Sequence, residues 1–447
     1  MRDRQLGRFS PDLDVAVADD PAAVAVALAK QVNASWFPLS TRHGAFRVMG
    51  RSGHVDVARL RGDSIEEDLA ERDFTINAMA LSLPDENLID PFGGMQHLRE
   101  GRLVPVGPHI FAEDPLRLMR AVRFCHVLGF RLDPALENLV RAEAAKLARS
   151  APERVAMEMS LTLAERDSAA AVARWWELGL LPVFLPEAIG KERGGTTGGA
   201  PLDQILRMLN RLDEGLLEPA AWFPAAAPLL KRRLAVPVDG VFSRPVALRV
   251  AAMLRAATPL ECRLAGRRLR LSNDLVSLIE TAARSFSAGW GGGAGLGAAG
   301  VKEGGAGLGA GGVEQAGARL ADDDRVATGD RHGAGRVDRR AAILFLWACA
   351  PWEPETILLG MAAGEDEGVC RELMALWVER ASGAARPLPI DGNDLMRTLG
   401  LKEGPGLGRL LREVRLAWEA GDLNDREDCL RLARELASPQ PDSVERA

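Results

Sequence analysis

Apolar and polar positions alternate over residues 12–18 (DLDVAVA), the period of a strand whose two faces meet different surroundings. A helical pattern opened by proline follows at 21–31 (PAAVAVALAKQ), and β-like runs follow at 45–49 (AFRVM) and 54–58 (HVDVA). From residue 75 the stretch TINAMALSL turns helical, with Thr75 as the expected N-cap. This alternation predicts a small mixed α/β domain over residues 1–110. Beyond it, apolar residues recur at three and four spacing through 113–129, 134–149, 152–166 and 168–179, with breaks at Gly129, Pro134, Pro152 and Gly179. More helices are expected at 203–216, 226–234, 245–257, 260–270 and 274–286, and again from about 338 to about 437. The pattern fails over 289–318, where glycine and alanine dominate and GGAGLGAAGV (292–301) is nearly repeated as GGAGLGAGGV (304–313). Such a stretch buries too little apolar surface to offset its backbone entropy, so 287–337 is expected to be a disordered insert. Its GxGxxG matches follow no strand and open no helix, and are not a dinucleotide site.

A chain of 447 residues is too long for one core and should divide into two to four domains. No run of about 18 apolar residues occurs, and the N-terminus MRDRQLGRFSPDLD is charged where a signal peptide needs an apolar segment. A cytoplasmic protein with no membrane partner is expected. Cys125, Cys262, Cys349, Cys370 and Cys429 form no CxxC pair, which excludes the usual zinc spacing and predicts buried, inert thiols. His43, His54, His97, His109 and His126 show no metal spacing either, and are expected to be structural or solvated. The net charge of −6 decides nothing about nucleic acid, because phosphate is met by a local patch and not by the average.

Asp12 and Asp14 are two apart on a predicted strand, so both side chains leave one face. Paired hard carboxylates suit Mg²⁺, which takes the rest of its shell from water and phosphate. Asp56, on the neighbouring short strand, is the candidate for a third carboxylate in a two-metal phosphoryl-transfer site. Taken by itself a DxD pattern is common, and a solvated strand end explains it equally well.

Three longer stretches change that reading. RDFTINAMA at 72–80, DPFGGMQHLREGRL at 90–103 and EDPLRLMRAVRF at 113–124 resemble the signature series of class II tRNA nucleotidyltransferases and bacterial poly(A) polymerases. The opening RDRQLGRFSPDLD is similar to that family's first motif, and IDGNDLMRTLGLKEGPGLGRLLREVRLAWEAGDL (390–423) to its tail segment. The resemblance implies an α+β fold: a mixed α/β nucleotidyltransferase head (1–110) followed by an all-helical neck (111–180), body (181–286) and tail (338–447). It implies Mg²⁺-dependent, template-independent addition of CMP and AMP from CTP and ATP to the 3′ end of tRNA, with Asp12, Asp14 and Asp56 catalytic and the first two holding metal. Arg2 and Arg72 would meet the triphosphate, and Asp73 and Asn77 the ribose. DPFGG would make a turn between head and neck, using the backbone freedom of Gly93 and Gly94.

EDPLRLMR is the most informative motif. Asp114 and Arg117, three apart on an expected helix, would share a face. A carboxylate acceptor beside guanidinium donors complements the amino group and ring nitrogen that cytosine and adenine share, and rejects uracil and guanine. Read without the family, the same spacing is an ordinary i,i+3 ion pair. Arg120 and Arg123 would continue the stripe towards phosphates.

The chain also departs from the family pattern. It begins Met1-Arg2-Asp3, without the glycine pair that precedes this arginine in relatives, which keeps an inactive RNA-binding protein open as an alternative. Only 15 residues (57–71) separate Asp56 from Arg72, and Glu71 replaces a usual arginine. A segment so short resembles the CC-adding branch, in which a partner enzyme adds the last adenosine. Poly(A) polymerase activity is the nearest enzymatic alternative. After His126 only His332 remains, so the His-Asp phosphohydrolase domain of some relatives is not expected.

Overall fold

The structure, a computed structural model, describes residues 1–10, 12–40, 44–51, 53–189, 192–193, 196–197, 202–288 and 337–438. Residues 289–336 of the expected insert, with His332, and His43 lie outside the described residues. The chain divides into two compact units, Met1–Ile189 with Arg267–Leu271, and Gly190–Gly266 with Ser272–Ala447.

The first unit begins with a single helical turn, α1 (Arg2–Gln5), and a sheet of β1 (Asp12–Val17), β2 (Ser35–Ser40), β3 (Ala45–Met49) and β4 (His54–Arg59) in the order β1-β4-β3-β2. β1 runs parallel to β4, and the other pairs are antiparallel. Helix α2 (Pro21–Val32) makes the crossover. Asp20 caps it, accepting from the Ala22 N–H at 2.9 Å, Pro21 supplies the first-turn φ, and Asn33 ends it in the left-handed region. Its buried residues include Ala25 and Ala29, small enough to let the helix settle onto Val48 and Val57 of the sheet. Phe46, Val55 and Val17 complete that packed face. Strand alternation therefore turns Asp12, Asp14, Arg47, His54 and Asp56 to the opposite face.

The helix expected from residue 75 is not formed. Thr75–Asn77 make one 3-10 turn, and Ala80–Leu81 pair with Leu88–Ile89 as a short antiparallel ladder. The competing partner is the distant segment 104–106: Thr75 N–H donates to the Val104 carbonyl at 3.0 Å and Val106 N–H to the Asp73 carbonyl at 3.2 Å, so these groups are not free for a helical ladder. Thr75 is not a cap either. Its Oγ1 pairs with His97 Nδ1 at 2.9 Å, and the residue before the turn is the fully buried Phe74.

The glycines of DPFGG act differently from one another. Asp90 caps α4 (Gly94–Glu100), accepting from the Gly94 N–H at 2.6 Å and the Met95 N–H at 2.9 Å. Gly93 takes a φ of +70°, which favours glycine, whereas Gly94 is required by close approach. A Cβ there would lie 2.2 Å from the Thr75 carbonyl oxygen and 2.8 Å from Met79 Cγ.

The helix expected over 113–129 is split into α5 (Ile110–Glu113) and α6 (Arg117–Leu128). Pro115 disfavours helical backbone in the residue before it, and Asp114 is extended at φ −141°, ψ 99°. The helices α7 (Pro134–Glu143), α8 (Pro152–Leu163) and α9 (Ser168–Glu177) follow, with the short α10 (Leu181–Phe184).

The second unit is built from α11 (Leu202–Leu217), α12 (Pro219–Trp222), α13 (Ala227–Ala235), α14 (Arg244–Met253), α15 (Pro259–Leu269, whose end falls in the first unit) and α16 (Asn273–Ala288). It continues with α17 (Arg339–Cys349), α18 (Glu353–Ala363) and α19 (Glu367–Ala381). α18 is buried on all sides from Pro354 to Ala362, and its Glu355 accepts from Arg233 Nε at 2.8 Å and Arg244 Nη1 at 2.5 Å. The last three helices, α20 (Gly392–Leu399), α21 (Pro405–Ala420) and α22 (Arg426–Ala437), close around Leu395, Val414, Trp418 and Cys429. Asp391 and Asp394 open α20 as a reciprocal capping box.

All five cysteines are free, and burial pushes the thiols of Cys125, Cys262 and Cys370 up to about 12, as expected of inert groups. Among the described residues no single helix is long and apolar enough to cross a membrane.

Gly94→Ala should lower stability by about 1–3 kcal/mol, the usual cost of overpacking, because backbone and not a flexible side chain must give way. An unchanged midpoint in urea unfolding followed by the head's signal would rule out this close-approach role.

Candidate active site

The register of the sheet assembles a row across its open face. Asp14 pairs with Asp56 in the parallel ladder, Asp56 with Arg47, and Arg47 with Phe37. Arg47 grips Asp56 through both edges of the carboxylate, Nε to Oδ1 at 2.7 Å and Nη2 to Oδ2 at 2.8 Å. That hydrogen-bonded guanidinium holds the Asp56 carboxyl below the usual range, outweighing its partial burial. Next to this row Asp12 pairs with His54, whose Nε2 lies 3.2 Å from Asp12 Oδ1 and 3.9 Å from Asp56 Oδ1. Asp12 and Asp14 are exposed.

Exposed carboxylates side by side on one strand face are hard oxygen donors that fit a divalent cation sharing its shell with phosphate and water. Asp12 and Asp14 are the residues that would hold it. Among the described residues no group of three or more His, Cys, Asp or Glu side chains converges as a preformed metal cage. The expected third carboxylate is beside the pair in register, yet engaged by Arg47.

A second cluster surrounds the 73–77 turn. Asp73 is 5% exposed; its Oδ2 accepts from Arg120 Nε at 2.8 Å and its Oδ1 from Asn77 Nδ2 at 2.8 Å. Arg2 donates from Nη1 to Asn77 Oδ1 at 2.7 Å and also pairs with Asp3. Glu158 of α8, also 5% exposed, accepts from Arg123 Nε at 2.6 Å and lies 3.6 Å from Arg120. The guanidiniums of Arg2, Arg120 and Arg123 stand 4.8, 5.1 and 4.5 Å from the Phe124 ring centre. Arg120 and Arg123, expected to reach towards phosphates, are thus held on Asp73 and Glu158 inside the unit. Buried carboxylates outcompete solvent for these donors. Arg72 rests on the buried Asp68, Nη2 to Oδ2 at 2.9 Å, and its Nε is buried without a partner.

The Asp114–Arg117 pair is not arranged on one helix face as the spacing predicts. Asp114 lies in the break before α6, where its Oδ1 accepts from the Leu116 N–H at 3.1 Å. Arg154 of α8 takes the carboxylate, Nη2 to Oδ2 at 2.8 Å and Nη1 to Oδ1 at 3.4 Å. Burial alone would raise the Asp114 carboxyl, but the Arg154 and Leu116 hydrogen bonds bring it below the ordinary range. Arg117 bonds Glu113 Oε2 at 2.8 Å, the Ile110 carbonyl at 3.3 Å and the Glu71 carbonyl at 2.5 Å.

Sequence reasoning missed Arg47, His54, Arg154 and Glu158. A signal existed for two of them. Arg47 is a lone charge in an apolar strand, and Glu158 falls on the apolar stripe of α8, where an acid needs a partner.

A small mixed sheet that carries exposed carboxylates, followed by helices that bury arginine–carboxylate pairs, is an α+β arrangement. Residues 1–104 match the poly(A) polymerase head domain family, and residues 129–190 match the family described as the "probable RNA and SrmB-binding site of polymerase A". The CC-adding tRNA nucleotidyltransferase of Geobacter sulfurreducens is 28% identical over 454 residues, covering 99% of this chain and 92% of that protein. The A-adding tRNA nucleotidyltransferase of Deinococcus radiodurans is 40% identical over 204 residues, covering 44% of this chain and 46%, under half, of that protein. The solved CCA-adding enzyme of Thermotoga maritima complexed with tRNA shares the fold with a TM-score of 0.63 at 20% identity, over 98% of this chain and 89% of that one. Over these segments the chain is similar to class II tRNA nucleotidyltransferases and bacterial poly(A) polymerases.

Arg120→Met should destabilise the first unit by about 2–4 kcal/mol, since it leaves Asp73 short of a charge partner while Arg120 itself keeps 31% of its side chain exposed. Chemical denaturation checks this; a loss confined to activity would show that Arg120 acts on the nucleotide alone.

Proposed function

We propose that this chain adds CMP and AMP from CTP and ATP to the 3′ end of tRNA without a nucleic-acid template, in the cytoplasm. The observation that carries the reading is the register of β1 and β4, which sets Asp14 beside Asp56 with Asp12 one step along the same face. In this reading Asp12 and Asp14 hold Mg²⁺, which supplies charge neutralisation at the triphosphate when bound. The tRNA 3′-hydroxyl attacks the α-phosphate, and pyrophosphate leaves. Asp56 orients the hydroxyl. Arg72 meets the triphosphate, while Asp73 and Asn77, tied together at 2.8 Å, offer an acceptor and a donor to the ribose. Arg2, bonded to Asn77, joins that nucleotide-binding set. Arg120 and Arg123 serve it by holding Asp73 and Glu158 in place.

Asp114 and Arg117 read the base. Neighbours across a sharp turn can still offer acceptor beside donor, and Arg154 and the Glu71 carbonyl orient the two groups from behind. Head (1–110), neck (111–180), body (181–286) and tail (338–447) divide the work into chemistry, base choice and RNA grip, with A-form RNA recognised by shape and phosphate.

A narrower reading, addition of CC alone, is favoured by residues 57–71. Their centre is the short helix α3 (Ile65–Ala70), capped by Ser64 and anchored by the buried Asp68. A compact capped helix supplies less reach than a long loop for re-shaping the site between C and A addition.

Purified chain incubated with tRNA lacking CCA, Mg²⁺ and labelled CTP or ATP distinguishes these outcomes. Two added C and no A would establish CC addition, C-C-A the full reaction, and long A tails polyadenylation; no incorporation would sink the transferase reading. Asp12→Asn or Asp14→Asn should lower transfer by about 100-fold or more, as when a transition-state charge contact is lost, with tRNA affinity retained. Arg117→Ala should admit UTP, and unchanged selectivity would count against its base-reading role.

A further inference from the structure

The half of the open sheet face beyond Asp56 is left unused by this chemistry. Arg47 spends Nε and Nη2 on Asp56, and its Nη1 group takes no partner among the described residues. One strand further, Phe37 pairs with Arg47 and Ser35 with Met49. Phe37 and Met49 are 43% and 41% exposed. Phe37 has neither a ring partner nor a guanidinium partner among the described residues, whereas its neighbour Trp36 packs its ring on Phe46, 5.9 Å away on the α2 side. Across β4, β3 and β2 the face thus runs from carboxylate to guanidinium to aromatic ring, with the Met49 thioether on β3 two residues along from Arg47.

We propose that this half-face is the subsite for the 3′-terminal nucleotide of the RNA acceptor, with Arg47 contacting its phosphate and Phe37 and Met49 stacking on its base. The proposal rests on the transferase reading above, because that reading requires a 3′-hydroxyl to arrive at Asp56. Strands are spaced ~4.8 Å apart, so a hydroxyl over β4 brings the phosphate of the same nucleotide to about the distance of β3, and the base to that of β2. Charge complementarity fixes the occupant. The β1 edge is acidic and repels an RNA backbone, while the outward edge of Arg47 is a donor to phosphate oxygen. An exposed aromatic at the end of that track accepts any base, as an acceptor end of varied sequence demands. Because one guanidinium would hold both Asp56 and the acceptor phosphate, Arg47 is a positioning residue that places the nucleophile.

The test uses the full chain and a tRNA whose 3′-terminal nucleotide is the fluorescent purine 2-aminopurine, with no nucleoside triphosphate present, so binding is read whether or not transfer occurs. Wild type should quench the fluorophore by stacking. Phe37→Ala should abolish the quench and raise KM for tRNA about tenfold, with KM for CTP within about twofold of wild type, the latter also reporting an intact head. Arg47→Met should raise KM for tRNA and lower kcat, and Arg47→Lys should recover part of both. Quenching that survives in Phe37→Ala, or KM values for tRNA and CTP that rise together, overturns the subsite. A wild-type chain that binds and quenches but transfers nothing would support the subsite and count against the transferase reading.

Discussion

The site rests on the parallel pairing of β1 with β4, and that pairing is fixed from the far side of the sheet. Val48 and Val57 are buried under Ala25 and Ala29 of α2, with Phe46, Val55 and Val17 around them. A slip of one residue would drive Asp14 or Asp56 beneath α2 and bring valine to the open face. Burying a carboxylate among alanines and valines with no partner is far costlier than losing a few ladder hydrogen bonds. The hydrophobic face therefore specifies the polar one. Alanine at 25 and 29 matters for the same reason, since bulkier residues would lift the helix and loosen the face that holds the register.

The arginine–carboxylate cluster plays the corresponding part for the 73–77 turn. Asp73 is joined through Asn77 to Arg2 of α1, through its backbone to the 104–106 segment, and through Arg120 to α6, while Arg123 and Glu158 connect α6 to α8. Desolvating these groups is costly, and an apolar core of equal volume would give at least as much stability. What the cluster provides is placement: Asp73 accepts from Asn77 of the turn and from Arg120 of α6, so the turn has one arrangement that satisfies both. Phe124, flanked by guanidiniums, fills the space between the charges and excludes the water that would let them relax.

Periodicity was informative where one partner surface dominates. Strands β1, β3 and β4 and most helices after residue 110 were legible because their apolar positions recur with a strand or helix period. The pattern misled at TINAMALSL, where burial of Ile76, Ala78 and Met79 serves a turn clamped to a distant segment, and a 3.6-residue period cannot be told from such a knot. Pro115 warned of the break between α5 and α6, yet the i,i+3 spacing of Asp114 and Arg117 still suggested a shared face. Long-range partners leave no local trace. Asp114 and Arg154 are 40 residues apart, and Arg47 and Asp56 meet only because two strands are antiparallel neighbours. The motifs proposed the candidate residues, while the partners of those residues required the fold.

The grip of Arg47 also narrows what Asp56 can do in the role proposed for it. A general base works best when its pKa lies near the operating pH. The two hydrogen bonds from Arg47 move the Asp56 carboxyl the other way, below the ordinary carboxylate range. Such a group is a weak proton acceptor at neutral pH and remains a good hydrogen-bond acceptor, since a carboxylate engaged on one side keeps lone pairs on the other. Asp56 is therefore better suited to orienting a hydroxyl than to removing its proton. Catalysis built this way depends on positioning and charge neutralisation, which suits a transfer whose transition state asks little covalent chemistry of the protein. In the proposed reading the two hydrogen bonds from Arg47 give that carboxylate one orientation, and with it would fix the line of attack.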